Sequence, residues 1–282
     1  MARPRRSAIN SSAFHVFEVL RLVADAEEPL GVSAISRRLG LPASTVYRAL
    51  ITLEESDYVV RYQNMPRYEL GPMPQLLNRA LVHRFRLHAS SRPVLRALAE
   101  ETAETVSLTV RLGWYGLRLA GVYGSSDIYH RDRLGEVMPL HRNLPGIGIL
   151  AFLPETDIAP YRAFISGHHP DLGDTDWKAL AESLEAARRQ GFAYQALSAE
   201  DERAAVALPV RDPTGDAIAS VAISGPIHLP GSDTPHQALL AARDALEREI
   251  AAAPDAFASP FGHIPHDEIV IRSPRQDAAP GS

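Results

Sequence analysis

The most regular alternation of apolar and polar positions lies in residues 32–70. In residues 41–53, Val46, Leu50 and Leu53 recur at i, i+4 and i+7, the buried stripe of an amphipathic helix. Ser44, Tyr47, Arg48 and Ile51 fall on another face, which carries a hydroxyl, a phenol and a guanidinium but no carboxylate. Pro42 is expected in the first helical turn, where its missing N–H costs nothing. Residues 32–40 form a shorter helix with Val32, Ile35 and Leu39 inward, closed by Gly40 as a C′ glycine. Two short helices joined by a tight glycine-containing turn make a helix-turn-helix, with 41–53 as the reading helix. Strand-like runs at 58–62 and 67–70 flank Gln63-Asn64-Met65-Pro66, a hairpin placed as a wing. Arg61 and Arg67 flank its tip, either meeting phosphates or simply solvated.

Upstream, residues 12–26 read as a helix whose only polar stripe is His15, Glu18 and Arg21. A helix this apolar needs burial on more than one side. One side covers the helix-turn-helix, and a second copy of the chain is the economical cover for the other. Val16 and Val19 are expected to point outward. Gly71, Pro72 and Pro74 mark a boundary. A linker helix follows at 75–85, then a helix at 88–102 with Pro93 near its start. From Thr105 the period changes to two, giving strands at 105–110, 117–123 and 134–140. Helices are expected at 144–153 and at 177–190, the latter capped by Asp174 or Thr175 and stopped by Gly191. Strands at 204–210 and 217–224 surround the turn 212–216, and a helix at 235–252 closes the domain. The segment from Pro254 is rich in Pro, Asp and His and is expected to be loosely ordered. The fold class is α+β, divided as a basic arm (1–11), a winged helix-turn-helix (12–71), a linker helix (72–87), an α/β domain with a mainly antiparallel sheet (88–253) and a tail (254–282).

Composition changes this picture in three respects. The 282 residues contain no cysteine, which excludes disulfides, thiolate metal sites and cysteine nucleophiles. No apolar run is long enough to span a bilayer and no signal-peptide core is present, so a cytoplasmic location is expected. The net charge of −5 is unevenly spread. Residues 1–90 hold 12 Arg and no Lys against 8 acidic residues, a formal +4, while the remainder holds 17 basic against 26 acidic, a formal −9. A basic head on an acidic body suits a DNA-binding sensor. Chance clustering of surface charge gives the same numbers. Arg3, Arg5 and Arg6 form an arm that either lies on DNA or stays solvated.

Candidate chemistry is sparse. Thr105, Ser107 and Thr109 share one strand face, as do Ser220, Ala222 and Ser224. If both lie on one side of the sheet, the floor is small and partly hydroxylated, leaving room for a ligand. Close helix–sheet packing favours the same residues. Pro145, Gly146, Ile147 and Gly148 start an apolar helix whose amides suit a carboxylate. Residues 146–151 also match the dinucleotide pattern, but no buried parallel strand precedes them. His168 with His169, and His263 with His266, read as loop or tail residues rather than metal ligands. No nucleophile–base–orienter set and no G-x-S-x-G elbow is found, so no enzymatic activity and no cofactor are expected.

These residues resemble the IclR (isocitrate lyase regulator) family of bacterial transcriptional regulators. The likeness spans residues 12–252 and is most specific at 35–50, then at Tyr68-Glu69-Leu70-Gly71, Pro139-Leu140-His141 and Ser224-Gly225-Pro226. The resemblance implies a winged helix, a linker helix and a GAF-like effector-binding domain, assembled as dimers through the heads and often as tetramers through the bodies. It implies an effector site at His130, Met138, Leu144, Pro145, Gly146, Gln195, Ala205, Ala222 and Ser224. The chain departs from the family pattern at four places: a lysine is replaced by Ile147, an acid by Gln195, a cysteine by Ala205 and one of two serines by Ala222.

The expected function is a ligand-responsive transcriptional regulator, a repressor sensing a small organic acid with an apolar body. Ser44, Thr45, Tyr47 and Arg48 approach the major groove of double-stranded operator DNA, and Arg37, Arg38, Arg61 and Arg67 hold phosphates. Two alternatives stand beside it: an enzyme with an appended winged helix, and a protein-interaction module.

Overall fold

A computed structural model describes residues 10–62, 65–82, 84–124, 134–168, 177–198, 203–225, 234–257, 259–260 and 264–271. Residues 1–9 of the basic arm, His130, His169, His263, the predicted cap at 174–175 and the wing-tip residues Gln63 and Asn64 lie outside them. The chain forms two compact units, whose boundary falls between Ala80 and Leu81.

The first unit begins with α1 (Ser11–Ala24), capped by the Asn10 side chain accepting from the Ala13 amide. The strand β1 (Leu30–Gly31) leads into α2 (Val32–Leu39), which ends at Gly40 with φ of 65°. Only glycine adopts that left-handed cap without strain. Then come α3 (Ala43–Glu55), β2 (Val59–Arg61) and β3 (Arg67–Leu70). Pro42 stands one place earlier than expected, as the N-cap of α3, where its carbonyl accepts from the Val46 amide. The wing has three strands in the order β1-β3-β2 rather than two. A two-residue strand is too short to show a period of its own. Val19, Val23, Ile35, Val46, Leu50, Leu53, Val59 and Tyr68 interlock as one core. Val19 is fully buried, so it is not the outward position expected; Phe14 and Phe17, at 41% and 62% exposure, are.

The helix α4 (Met73–Val82) leads into the second unit. There α5 (Arg86–Thr102) starts earlier than expected, which puts Pro93 inside the helix. The strands are β4 (Thr105–Leu112), β5 (Tyr115–Val122), β6 (Val137–Pro139), β7 (Ala193–Ser198), β8 (Arg203–Arg211) and β9 (Ala217–Gly225). They form one antiparallel sheet in the order β6-β5-β4-β9-β8-β7. On one face α5 and α9 (Thr234–Ala252) bury Leu95, Leu98, Leu239 and Leu246 against Val106, Leu108, Leu208 and Val221. Fully burying each such side chain contributes about 1.5–3 kcal/mol before the entropy of ordering is counted. On the other side lie α6 (Leu144–Leu150), α7 (Ile158–His168) and α8 (Trp177–Gln190).

The segment after α9 differs from expectation. A short helix α10 (Pro254–Phe257) and the turn His266–Glu268 are built onto the second unit. The His266 ring lies 5.4 Å from that of Trp114, and Ile269 covers the β4–β5 turn at Gly113. Two apolar residues and an imidazole anchor what composition alone marks as tail.

Candidate DNA interface and effector face

In the first unit, Val46, Ala49, Leu50 and Leu53 bind α3 to its core, and this fixes which side faces water. Ser44, Tyr47, Arg48 and Ile51 are all exposed on that side, with Tyr47 at 49%, while Thr45 is half-buried. Those four positions carry no carboxylate, as the spacing indicates, and the same stripe ends at the exposed Glu55. Arg61 is exposed on β2. Arg37, Arg38 and Arg67 are exposed too, but they border a cleft of about 800 Å³ that also bears Glu18, Asp25, Glu27 and Glu28. Four carboxylates beside three guanidinium groups weaken any field there that attracts phosphate.

In the second unit, the register puts Thr105 opposite Ser224, Ser107 opposite Ala222 and Thr109 opposite Ser220. Paired residues point to the same side of a sheet, so both sets share one face. The rows continue across the strands. Gln195, Ala205, Ser224 and Thr105 form one row, and Ala193, Ala207, Ala222 and Ser107 the next.

The helix α6 lies on this floor through Gly148. A Cβ at that position would stand 2.8 Å from Ser220 Oγ and 3.1 Å from the Ala207 Cβ. Close packing is thus the role of the small residues Ala207 and Ser220. In the row Gln195, Ala205, Ser224 and Thr105, Ala205 and Thr105 are buried, Ser224 is half-buried, and Gln195 is exposed on the edge strand β7.

The start of α6 is not an open cradle of amides. Asn143 caps it, its Oδ1 accepting from the Gly146 amide at 2.8 Å. Pro145 has no N–H to offer, and Gly146 is pressed against the Leu140 carbonyl. The expected carboxylate cradle at this helix start is therefore already filled by the chain itself. Asn143 Nδ2 reaches Met138 Sδ at 3.5 Å, so Met138, Leu144, Pro145 and Gly146 do cluster around that cap. An Asn immediately before an apolar run with Pro in its first turn is the sequence signal for such a cap.

The lead-in to α6 is held by Tyr161 of α7. Its hydroxyl accepts from the His141 amide at 2.9 Å and lies 2.6 Å from His141 Nδ1. Burial pushes the Tyr161 hydroxyl well above its usual range, so it stays a neutral donor. Trp114 packs edge-on against Tyr161 at 5.6 Å. The helix α7 is absent from the elements expected, although Tyr161, Phe164 and Ile165 have helical i, i+3, i+4 spacing. Among the described residues no group of three or more His, Cys, Asp and Glu could hold a metal, and His168 stacks on Phe164 at 4.4 Å. The dinucleotide-like run 146–151 follows a 3-10 turn (Leu140–Arg142) rather than a parallel strand.

Comparison with known proteins joins the two surfaces. The IclR helix-turn-helix domain matches residues 12–62, and the C-terminal domain of the bacterial transcriptional regulator IclR matches residues 79–249. The chain belongs to the IclR family. As a member it is a transcriptional regulator with a DNA-binding helix-turn-helix and an effector-binding domain. It is 29% identical to the HTH-type transcriptional regulator BhcR of Paracoccus denitrificans over 210 residues, covering 74% of this chain and 75% of that one. It is 26% identical to the HTH-type transcriptional repressor AllR of Klebsiella pneumoniae, covering 69% and 72% of the two chains. The fold is shared with an IclR homologue from Microbacterium hydrocarbonoxydans solved in complex with 4-hydroxybenzoate. That likeness has a TM-score of 0.67 at 21% identity, covering 86% of this chain and 100% of that one. The relatives are regulators rather than enzymes, and no described helix of this IclR-family chain is long and apolar enough to cross a membrane.

Proposed function

We propose that this regulator is a repressor released from its operator by an organic acid with an apolar body. Ser44, Tyr47 and Arg48 read base edges in the major groove, Thr45 and Arg61 steady the helix and wing, and Arg37, Arg38 and Arg67 contribute phosphate contacts. Two copies pair through Phe14 and Phe17 of α1. The acid lies on the sheet face along Gln195, Ala205, Ala222 and Ser224, near Met138 and the Leu144-Pro145-Gly146 turn; His130 is assigned there from the family likeness. Its occupancy changes the spacing or angle of the paired heads through α4.

The observation that carries this reading is the pairing of Thr105, Ser107 and Thr109 with Ser224, Ala222 and Ser220 on one face, with Ser224 half-buried and Gln195 exposed in its outer row. Three features favour an apolar acid. Ile147 and Ala205 leave little charge on the wall, the helix-start amide is already capped, and Gln195 offers an amide donor without a repelling charge. The 4-hydroxybenzoate bound by the Microbacterium relative supports the aromatic class, and the repressor designation of AllR supports the sign. Thermal-shift screening tests it. Aromatic acids should raise the melting temperature of the wild type but not of a folded Ser224→Leu variant. Stabilisation by small polar acids alone, or an equal shift in the variant, overturns it.

A further inference from the structure

The matched family region ends at residue 249, yet the chain beyond it builds one wall of a second cavity. This cavity, of about 530 Å³, lies by the β4–β5 and β8–β9 turns. Its volume is in the range of small-molecule sites. Phe85 and Leu87 from the start of α5, Ile218 of β9 and Phe257 of α10 give it apolar walls. Arg86, Arg111, Asp216 and Asp255 place both signs of charge around them.

These charges differ in how far they are already satisfied. The largely buried Arg111 donates from Nε to the Gly113 carbonyl at 3.1 Å and leans on Trp114. Its buried Nη2 forms an ion pair with Asp157 at 3.6 Å, longer than a hydrogen bond. Arg86 lies over the Phe257 ring at 5.9 Å. Asp212 is occupied, its Oδ1 accepting from Thr214 and from the Asp216 amide.

A simple anion in this cavity meets Asp216 and Asp255. A simple cation meets Arg86 and Arg111. A zwitterion with an apolar side chain answers all three features. We propose that this cavity is a second ligand site, separate from the sheet face under α6, and that it takes a free α-amino acid with a large apolar side chain. The carboxylate faces Arg86 and Arg111, the ammonium faces Asp216 and Asp255, and the side chain enters between Leu87, Ile218 and Phe257.

Isothermal titration calorimetry on the full chain tests the proposal with L-phenylalanine, 3-phenylpropionate and 2-phenylethylamine. L-phenylalanine should bind, and each analogue lacking one charge should bind at least about tenfold more weakly. Ile218→Trp, which fills the cavity, and Asp216→Asn, on an exposed turn that the core does not use, should each weaken L-phenylalanine by a similar factor. Ser224→Leu should leave it unchanged, so a failure of the sheet-face reading is read separately. Absence of binding by all three probes overturns the proposal. So do an analogue binding as tightly as the amino acid, undiminished binding in either cavity variant, and loss of binding in Ser224→Leu.

Discussion

A methyl group at position 148 has no free space. Its carbon would meet Ser220 Oγ at 2.8 Å and Ala207 at 3.1 Å. Gly148→Ala should therefore destabilise the chain by about 1–3 kcal/mol. Ser220→Ala removes a buried hydroxyl that has no hydrogen-bond partner among the described residues, and alone should be close to neutral. Combined, the two changes should cost less than their sum by at least about 0.5 kcal/mol, read by urea denaturation. Strict additivity contradicts the contact. Arg48 is the opposite case, a side chain that the core does not use. Arg48→Ala should leave stability unchanged and weaken operator binding by about 1–3 kcal/mol, relaxing preference at one position per half-site. Unchanged affinity and preference in an anisotropy assay rejects a base contact.

Among the elements, those with a strong period are legible in the sequence: α2, α3, α5, β4, β8, β9 and α9 all fall close to where alternation puts them. Ser220, Ala222 and Ser224 likewise reveal their shared face, because alternation in a strand is geometric. Other features depend on tertiary context. The strand β7 is an edge strand with Gln195 and Leu197 exposed, so little alternation marks it. Val19 and Phe17 are both apolar, and only the packing on α2 and α3 determines which of them faces out. The cap by Asn143 converts an apparent anion site into a closed helix end. The proposed pairing through α1 rests on the exposure of Phe17 and Phe14. Phe17→Asp in the full chain should shift association to higher concentration in sedimentation, and an unchanged profile rejects this interface.

The His266 turn gives a pH dependence at the same scale. Partial burial, with the nearby Arg111 charge, holds His266 below the ordinary histidine range, against the opposing carboxylates of Asp157, Asp267 and Asp216. Between the lowered value and the ordinary one, the unfolded chain binds more protons than the folded chain. Stability therefore rises with pH through that window and is lost as pH falls below about 6.5. His266→Gln should flatten this part of the pH profile of the denaturation midpoint. A slope equal to that of the wild type contradicts the assignment.

At the level of the whole molecule, residues 1–80 hold 10 Arg against 8 acidic residues, a formal +2, and residues 81–282 hold 19 basic against 26 acidic, a formal −7, so the DNA-binding end is the more basic one. The helix α4 carries the chain across the Ala80–Leu81 boundary between the two units. The central claim is that occupancy of the sheet face bearing Ser224 sets DNA affinity. It is tested most directly by anisotropy titration of promoter DNA from beside its own gene, with and without an aromatic acid that stabilises the protein. The account predicts affinity reduced about tenfold or more, equivalent to about 1.4 kcal/mol of coupling, in the wild type. The Ser224→Leu variant should bind the same DNA equally well and not respond. Affinity unaffected by saturating acid, or a variant that responds like the wild type, contradicts it.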